Sequence, residues 1–347
     1  MKGVLLANLG SPDSPTPRSV RRYLQRFLMD EAVLDIPWPL RFLLVRGLIA
    51  PLRAARSAAA YRRIWTPEGS PLTTISQRLA ERLREAAGVP VETAMRYSRP
   101  GAAEALERLR RQGVSEVLVI PQFPQYAVPT WGTILKDIKR RLPPGMRMQI
   151  RPPFYRDADY MKSLLAAAAP WLGKKWDCWL LSFHGLPERH LRKADPTGAH
   201  CLRRPDCCET PSPAHAVCYR RQSLETAKAF ARHAGVDRWS VAFQSRLGWG
   251  KWMTPYTEEE LRRLAKEGAR RIAVLCPAFT VDCLETLEEI GIRGRETFRK
   301  AGGEELALVP CLNDHPAWVE TLRKWVEEFV EGNSKGGEGL SACPRRD

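Results

Sequence analysis

Apolar runs alternate with amphipathic stretches along most of the chain. Short runs such as VLLA from Val4 and VLVI from Val117 have the composition of strands that are buried on both faces of a sheet. The stretches between such runs repeat apolar residues every three to four positions, which is the spacing of a helix with one buried face. Strands that alternate with helices in this way predict an α/β fold with parallel sheets.

The two halves of the chain repeat the same patterns in the same order. RLRRQGVSEVLVIPQF (108–123) resembles RLAKEGARRIAVLCPAF (263–279), and VLLANLGSP (4–12) resembles WLLSFHGLP (179–187). Each member of the first pair has the end of an amphipathic helix, a glycine that ends it, and a strand that runs into a proline loop. This repeat predicts two structural copies of one unit.

Two further segments, VETAMRYSRP (91–100) and WSVAFQSRLG (239–248), are interpreted as the middle strand of each half. Together the patterns predict two similar, Rossmann-like, doubly wound domains, at residues 1–171 and 172–330. The last residues, 331–347, are rich in Gly, Ser and charge, and are predicted to form a disordered tail.

Ligands of open parallel sheets bind beyond the carboxyl ends of the strands, and we expect a cleft between the two domains to gather these loops. His184 follows one such strand; a lone histidine there is commonly structural, but its imidazole also accepts protons or ligates metals. Asp282, Glu285 and Glu289 have i, i+3, i+7 spacing and share one face of a predicted helix. They form either a solvated acidic face or a row facing His184 that relays protons or a hard cation.

Aromatic and basic residues in the predicted loops indicate the kind of ligand. Neither a P-loop nor a Gly-x-Gly-x-x-Gly motif follows the first strand, so a nucleotide cofactor is not predicted. Aromatic rings offer flat apolar walls and arginines hold carboxylates, which together suit a large, flat, anionic guest such as a tetrapyrrole. The aromatic residues are Tyr97, Phe123, Tyr126, Trp131, Trp249, Trp252 and Tyr256, and the arginines are Arg96, Arg99 and Arg246.

The formal net charge of +16 raises the question of a polyanionic partner. A nucleic-acid complex would place the acidic row against phosphates, so no nucleic-acid partner is predicted. Residues 36–66 contain six arginines and no acidic residue among Leu, Ile, Phe and Trp. Two interpretations stay open for this segment: peripheral contact with a membrane surface, or a core or lid helix with exposed arginines.

The N-terminus lacks the features of a signal peptide and the chain has no long uncharged apolar run, which predicts a cytoplasmic protein without a transmembrane helix. Four of the nine cysteines lie in CLRRPDCCETPSPAHAVC (201–218). In a reducing compartment, clustered cysteines bind metal or catalyse more often than they form disulfides. A zinc site, an iron–sulfur site and free thiols stay open, although the Cys-x2-Cys pattern of most zinc sites is missing.

Several segments together resemble the ferrochelatases. LLSFHGLPERH resembles the active-site histidine motif of that family, CPAFTVDCLETLEEI resembles its glutamate motif, and the stretch from Val4 to Pro37 resembles its N-terminal segment. RYSRP, PQFPQYAVPTWGT and FQSRLGWGKWMTPYT resemble further family stretches in the same order. The resemblance covers about residues 1–330. It implies a chelatase fold of two Rossmann-like domains around a porphyrin cleft, and insertion of Fe²⁺ into protoporphyrin IX to give protoheme.

The resemblance also implies roles for individual residues. His184 corresponds to the active-site histidine and Glu285 to its acidic partner, and both would meet the Fe²⁺ substrate. Asp282 and Glu289 lie on the implied proton or metal path. A porphyrin loses two pyrrole protons as the metal enters, which a positioned histidine or carboxylate can accept. The positions that would line the porphyrin pocket are Leu9, Arg96, Tyr97, Tyr126, Thr130 and Trp252.

Two features of this chain need separate mention. Many relatives have a histidine where this chain has Cys283. Some bacterial ferrochelatases carry a [2Fe–2S] cluster in the region that DPTGAHCLRRPDCC, within the loop 195–218, resembles. That resemblance implies four cluster ligands, which are Cys201, Cys207, Cys208 and Cys218.

The open alternatives within enzymes are a coproporphyrin ferrochelatase and a cobalt chelatase for sirohydrochlorin. A non-enzymatic heme-binding protein or redox sensor is the alternative from a different class. Such a protein would not need both His184 and the acidic row.

Overall fold

Residues 1–246 and 250–332 are described by a computed structural model of the chain. The strands are β1 (Lys2–Asn8), β2 (Val91–Met95), β3 (Glu116–Pro121), β4 (Arg147–Ile150), β5 (Cys178–His184), β6 (Trp239–Gln244), β7 (Arg271–Leu275) and β8 (Glu305–Leu308). The first six α-helices are α1 (Pro17–Leu28), α2 (Trp38–Leu43), α3 (Ala50–Ile64), α4 (Pro71–Ala87), α5 (Ala102–Arg111) and α6 (Thr133–Arg141). The others are α7 (Ala158–Leu172), α8 (Glu188–Ala194), α9 (Tyr219–Ala234), α10 (Thr257–Lys266), α11 (Arg295–Lys300) and α12 (Pro316–Val330). Three segments are π-helical, Leu44–Ile49, Val128–Gly132 and Leu284–Gly294, and Pro213–Ala216 is a 3₁₀-helix.

The strands form two four-stranded parallel sheets with the same strand order. The first sheet runs β2-β1-β3-β4 and the second runs β6-β5-β7-β8. The identical strand order of the two sheets confirms the predicted α/β fold and its internal repeat. The segments interpreted as middle strands, β2 and β6, are second in chain order but lie at the edge of their sheets.

The sequence predicts three strands in each half, and the structure adds a fourth to each sheet. These are β4 and β8, edge strands of four residues each. The β4 side chains are exposed or half-buried, and β8 buries only one fully. Short edge strands of this kind lack the long apolar run by which buried strands are recognised.

The inner strands are the most apolar because helices cover both faces of a doubly wound sheet. Six consecutive residues are buried in β1, and six in β5. In a sheet of this order the chain crosses to the other side between the first and third strands, and ligands bind at that switch point. The carboxyl ends of β5 and β7 are therefore the expected ligand edge of the second sheet.

The described chain divides into two compact units, which we call unit 1 and unit 2. Unit 1 comprises Met1–Gln122, Val128–Pro152 and residues 319–332. Unit 2 comprises Phe123–Ala127 and Pro153–Trp318. Each unit contains one of the two sheets.

An aromatic cluster in unit 2 supports the loop that follows β7. The ring of Phe154 lies 5.2 Å from that of Tyr160 and 5.7 Å from that of Trp318, measured between centroids. The Tyr160 hydroxyl is buried and donates to the carbonyl oxygen of Pro277 at 2.8 Å. The chain between β7 and the next π-helix is thus attached to a packed core.

Candidate active site

His184 is the last residue of β5, at the expected ligand edge of unit 2. Its Nδ1 lies 2.6 Å from the carbonyl oxygen of Gly185. A carbonyl oxygen only accepts hydrogen bonds, so Nδ1 carries a proton and Nε2 is the nitrogen that can exchange one. The Tyr219 hydroxyl is hydrogen-bonded to the His184 backbone, and the Phe279 ring lies 6.3 Å from the imidazole. The ring is held in one orientation with Nε2 as its basic atom.

Trp252 packs against Gly185, the residue after the histidine. Residues 186–188 pair in antiparallel direction with residues 251–253. A Cβ atom added to Gly185 would lie 2.9 Å from a backbone oxygen and 3.5 Å from the Trp252 ring. A glycine after His184 is therefore needed for this close approach.

The π-helix Leu284–Gly294 supplies two carboxylates of the site. A turn of π-helix takes more than four residues, so Glu285 and Glu289 lie on one face. The Gln244 side chain, at the end of β6, donates to the backbone oxygen of Glu285 at 2.7 Å. The buried Cys283 thiol is hydrogen-bonded to the Glu285 carboxylate. Glu285 is thus held through both its backbone and its side chain.

The surroundings of the Glu289 carboxyl group favour its protonated form. Burial raises its pKa, and the negative charge of Glu285 adds to this. Hydrogen bonds from Ser245 and the positive charges of Arg293 and His184 act in the opposite direction but do not cancel the effect of burial. The Ser245 backbone N–H donates to one carboxylate oxygen at 2.8 Å and its hydroxyl donates to the other. Glu289 therefore keeps a proton to higher pH than an ordinary carboxyl group.

Asp282 lies before the π-helix and has a different set of partners. Its carboxylate accepts from the Thr286 hydroxyl at 2.8 Å, the Asn313 side chain at 2.7 Å and the Cys311 backbone N–H at 3.3 Å. The predicted acidic row thus consists of two parts. Glu285 and Glu289 share one face, whereas Asp282 connects the start of the helix to the loop after β8.

In unit 1, Arg96 and Tyr97 converge on Asp30. The carboxylate of Asp30 accepts from Arg96 at 2.7 Å, from the Tyr97 hydroxyl at 3.0 Å and from the Thr133 hydroxyl at 2.6 Å. Burial works against ionisation of Asp30, but the Thr133 hydrogen bond and its other partners keep the pKa below its ordinary value. Burial and the Asp30 charge raise the pKa of Tyr97. This group forms a neutralised, hydrogen-bonded cluster at the carboxyl end of β2.

Three other predicted porphyrin contacts, Leu9, Tyr126 and Thr130, are partly exposed, whereas Trp252 is buried. Leu9 follows β1, and its carbonyl oxygen accepts from the backbone N–H of Tyr97 at 3.0 Å. Thr130 lies in the π-helix of unit 1. Tyr126 belongs to unit 2, where its backbone N–H donates to Gln222 at 2.7 Å.

Two of the aromatic residues expected to form walls do not offer one in the described structure. Trp131 is fully buried, so its ring packs inside unit 1. Trp249 lies outside the described residues, as does the predicted tail from residue 333 onwards. Three cysteines outside the loop 195–218, Cys178, Cys276 and Cys311, are buried.

The cysteines of the loop 195–218 form a buried group in unit 2. All four are buried, and hydrogen bonds join the Cys218 thiol to those of Cys201 and Cys208. A backbone N–H donates to Cys207 Sγ at 3.5 Å, and Arg220 donates to Cys208 Sγ at 3.3 Å. Among residues 1–246 and 250–332, no three His, Cys, Asp or Glu side chains are arranged to hold a single metal ion.

A polar frame fixes the backbone of this loop. Asp195 accepts from the backbone N–H groups of His200 and Cys201, both at 2.8 Å. Burial opposes ionisation of Asp195, yet these and neighbouring hydrogen bonds lower its pKa to about 2. Nε2 of His200 and Nε2 of His215 lie 2.6 and 2.9 Å from the Cys207 carbonyl oxygen. Both nitrogens therefore carry protons.

The segment 36–66 exposes apolar side chains. Trp38, Leu43 and Leu52 are 59%, 68% and 71% exposed, whereas Val45 and Ala58 are fully buried. The Arg46 guanidinium lies over the Phe42 ring, 5.0 Å from its centroid. In the part of the chain that the structure describes, no helix has the length and apolar character that a membrane crossing requires.

Comparison with known proteins identifies the family. The ferrochelatase family profile matches residues 1–330. The chain belongs to the ferrochelatase family. A curated ferrochelatase from Azotobacter vinelandii is 54% identical over 326 residues, which cover 92% of this chain and 96% of the relative. A ferrochelatase from Opitutus terrae is 48% identical over 342 residues, which cover 96% of this chain and 99% of the relative.

Solved structures confirm the chelatase fold. SirB from Bacillus subtilis with Fe³⁺ matches with a TM-score of 0.55 at 15% identity, over 95% of this chain and 97% of that one. The sirohydrochlorin chelatase SirB from Bacillus subtilis subspecies spizizenii with cobalt matches with a TM-score of 0.54 at 12% identity, over 95% and 96%. At such identities the likeness concerns the fold alone.

Four polar residues that contact the ferrochelatase motifs were not predicted as site residues. Gln244 and Ser245 hold Glu285 and Glu289, Thr286 binds Asp282, and Asp30 binds Arg96. One signal was available for Gln244, since a polar residue that ends an apolar strand needs a buried partner. The distant partner of Asp30 leaves no pattern in the sequence.

Proposed function

We propose that this chain inserts Fe²⁺ into protoporphyrin IX and forms protoheme. Membership of the ferrochelatase family supports an enzyme of heme biosynthesis that inserts iron into a porphyrin. The observation that carries the assignment is the placement of His184, whose basic Nε2 lies at the ligand edge of unit 2, in electrostatic contact with Glu289. Glu285 shares the face of Glu289.

In this proposal, His184 and Glu285 act directly on the reactants. The porphyrin must lose two pyrrole protons when iron enters, and Nε2 of His184, the ring nitrogen that does not contact the Gly185 carbonyl, can take one. Glu285 would bind the Fe²⁺ substrate with His184 during transfer, because a carboxylate and an imidazole are both suitable ligands for iron. Glu289, whose raised pKa favours protonation, would pass protons away from the pair.

Asp282 remains in the proposed path as a prediction. Its carboxylate is engaged by three donors from Thr286, Asn313 and Cys311. These contacts support a role in fixing the start of the π-helix, and thereby the position of Glu285. We propose that Asp282 orients the path and does not itself transfer iron.

The proposed porphyrin contacts have different chemical characters. Trp252 is only 9% exposed, so we propose that it meets the porphyrin through the edge of its ring, and Leu9 offers an apolar side chain. Tyr126 and Thr130 are partly exposed and carry hydroxyl groups that suit a propionate or a ring edge. Arg96 and Tyr97 already bind Asp30, so we propose that they act through this cluster as a rigid wall.

We also propose that Cys201, Cys207, Cys208 and Cys218 hold a [2Fe–2S] cluster. Four buried sulfurs lie in one loop, three of them are joined by hydrogen bonds, and two accept N–H hydrogen bonds of the kind that tune cluster sulfurs. Bound there, a cluster supplies iron–thiolate bonds that cross-link the loop. If Cys207→Ser keeps the full visible absorbance and the iron and sulfide content of the parent, Cys207 is not a ligand.

Peripheral membrane contact through residues 36–66 is part of the proposal. The exposed apolar side chains and the arginines of this segment support it, because such a surface suits the boundary between headgroups and acyl chains. The cytoplasmic location stays a prediction.

An anaerobic insertion assay tests the function and its rivals together. The purified chain is mixed with Fe²⁺ and protoporphyrin IX, coproporphyrin III or, with Co²⁺, sirohydrochlorin, and the tetrapyrrole spectrum is followed. We expect multiple turnovers with Fe²⁺ and the highest kcat/KM for protoporphyrin IX. A higher kcat/KM for either alternative substrate would overturn the substrate assignment, and binding without turnover would overturn the enzyme.

A further inference from the structure

A cavity of about 270 Å³ in unit 1 has more positive than negative charge. Five cationic and three acidic side chains line it, where the ends of α1 and α2 approach α6. Its volume is at the lower end of the range for small-molecule sites, so it suits a small ionic group better than a porphyrin.

The three carboxylates of the cavity already have cationic partners. Asp30 lies 2.7 Å from Arg96. Glu31 lies 2.8 Å from Lys136. Asp137 lies 3.4 and 3.2 Å from two arginines of its own helix. The excess charge therefore resides on the two remaining cations of the cavity, Arg26 and Arg41.

Arg41 is a buried cation without a counter-ion. Only 7% of the residue is exposed. Its Nη1 donates to the carbonyl oxygens of Leu34 and Ile36, both at 3.2 Å. Its buried Nε has no hydrogen-bond partner among the described residues, and none of their carboxylates pairs with it. A buried charge is costly unless it is paired, so this arrangement indicates that an anion from outside the chain completes the site.

Arg26, the other cavity cation without an acidic partner, supports the same conclusion. It lies in the last turn of α1, is exposed, and makes no ion pair with the described residues. Two guanidinium groups that face one small cavity can bind the oxygens of a single tetrahedral anion in a forked geometry.

We propose that this cavity binds a phosphate group between Arg26 and Arg41. The cavity shares Asp30 and Arg96 with the proposed porphyrin wall, and the phosphate proposal does not depend on the iron-insertion activity. The group could be free phosphate or the headgroup of an anionic lipid. The apolar side chains that α2 exposes beside Arg41, Trp38 and Leu43 among them, make a lipid source chemically compatible.

Calorimetry on the full chain tests the site with inorganic phosphate at constant ionic strength. Arg26→Gln removes an exposed cavity cation, and Arg22→Gln removes an exposed arginine from the same helix outside the cavity. We expect roughly tenfold weaker phosphate binding in Arg26→Gln and parental binding in Arg22→Gln, since loss of one charge-assisted contact corresponds to about that factor. Arg41→Gln should weaken binding further, provided that circular dichroism shows it folded.

Sedimentation with vesicles distinguishes the source of the phosphate group. Vesicles of phosphatidylcholine are compared with the same vesicles containing phosphatidylglycerol. If Arg26→Gln weakens binding to the phosphatidylglycerol vesicles more than Arg22→Gln does, the ligand is the lipid headgroup. If the two variants differ in this way only with inorganic phosphate, the ligand is the free ion. Binding of neither probe by the parent chain, or equal losses in Arg26→Gln and Arg22→Gln, would overturn the proposal. So would a raised KM for porphyrin in Arg26→Gln with unchanged phosphate affinity, because it would assign the cavity to the substrate.

Discussion

Replacing Ser245 by alanine removes one of the two donors that hold the Glu289 carboxylate. The Ser245 hydroxyl donates to one carboxylate oxygen, and the backbone N–H, which alanine keeps, donates to the other at 2.8 Å. Ser245 has a φ of +69°, a conformation that alanine tolerates no better and no worse than serine. The substitution therefore changes the hydrogen bond without adding backbone strain.

The size of the effect follows from the charge of the acceptor. A hydrogen bond to an ionised group contributes about 1.5–3 kcal/mol, and one pKa unit corresponds to about 1.4 kcal/mol. The hydroxyl stabilises the ionised form, so its loss should raise the already elevated pKa of Glu289 further. The other charged groups facing Glu289, namely His184, Glu285 and Arg293, are unchanged.

The assay is the initial rate of anaerobic iron insertion as a function of pH. If Glu289 must ionise to accept protons, the acid limb of the Ser245→Ala profile moves to higher pH, and the two rates converge well above the new pKa. Ser240→Ala is the matched control, because it removes a serine hydroxyl that donates to Glu260 at the other end of β6. An acid limb that does not move, in a variant with normal activity at high pH, would refute the role of Glu289.

Three further predictions concern residues that support the site and the cysteine loop. Gln244→Ala removes the donor to the Glu285 backbone and leaves the buried Ser182 hydroxyl without one acceptor. The unfolding free energy should therefore fall by about 2–4 kcal/mol, and kcat should fall more than KM rises. An unchanged kcat would contradict the positioning role of Gln244. Tyr160→Phe should lower the free energy of unfolding in urea by about 1–2 kcal/mol, because the Pro277 carbonyl loses its donor, and the KM for porphyrin should stay at the parental value. No loss of stability would contradict the contact. Asp195→Asn should lower the unfolding free energy by about 2 kcal/mol at neutral pH, since the pKa of Asp195 is lowered from 3.8 to about 2 on folding. That contribution is present above pH 3.8 and is lost as the pH falls towards 2, so parent and variant should converge in acid; a constant difference down to pH 2 would contradict it.

The sequence predicts the inner strands and the repeat because both depend on local composition. β1 and β5 each bury six consecutive residues, and runs of this kind are visible without a structure. The edge strands β4 and β8 escape prediction, since partners elsewhere in the sheet determine their pairing. The same limit applies to the sheet order, which places β2 and β6 at edges.

The site was only partly accessible from sequence. Helical spacing correctly groups Glu285 with Glu289, because residues four apart share a face in both α- and π-helices. Asp282 precedes the π-helix, and spacing does not reveal that its side chain binds Asn313 in the loop after β8. Asp30 lies 66 positions from the Arg96 that it binds, and no periodicity connects two such positions.

The central claim is that Glu285 acts on iron at the ligand edge of unit 2. The most direct measurement is the turnover number of Glu285→Gln for Fe²⁺ and protoporphyrin IX, with porphyrin affinity measured on the same sample by fluorescence quenching. Glu296→Gln, an exposed change at the start of α11, serves as the control. We expect Glu285→Gln to lose turnover and still bind porphyrin, and Glu296→Gln to retain both. Near-parental turnover in Glu285→Gln would contradict the claim.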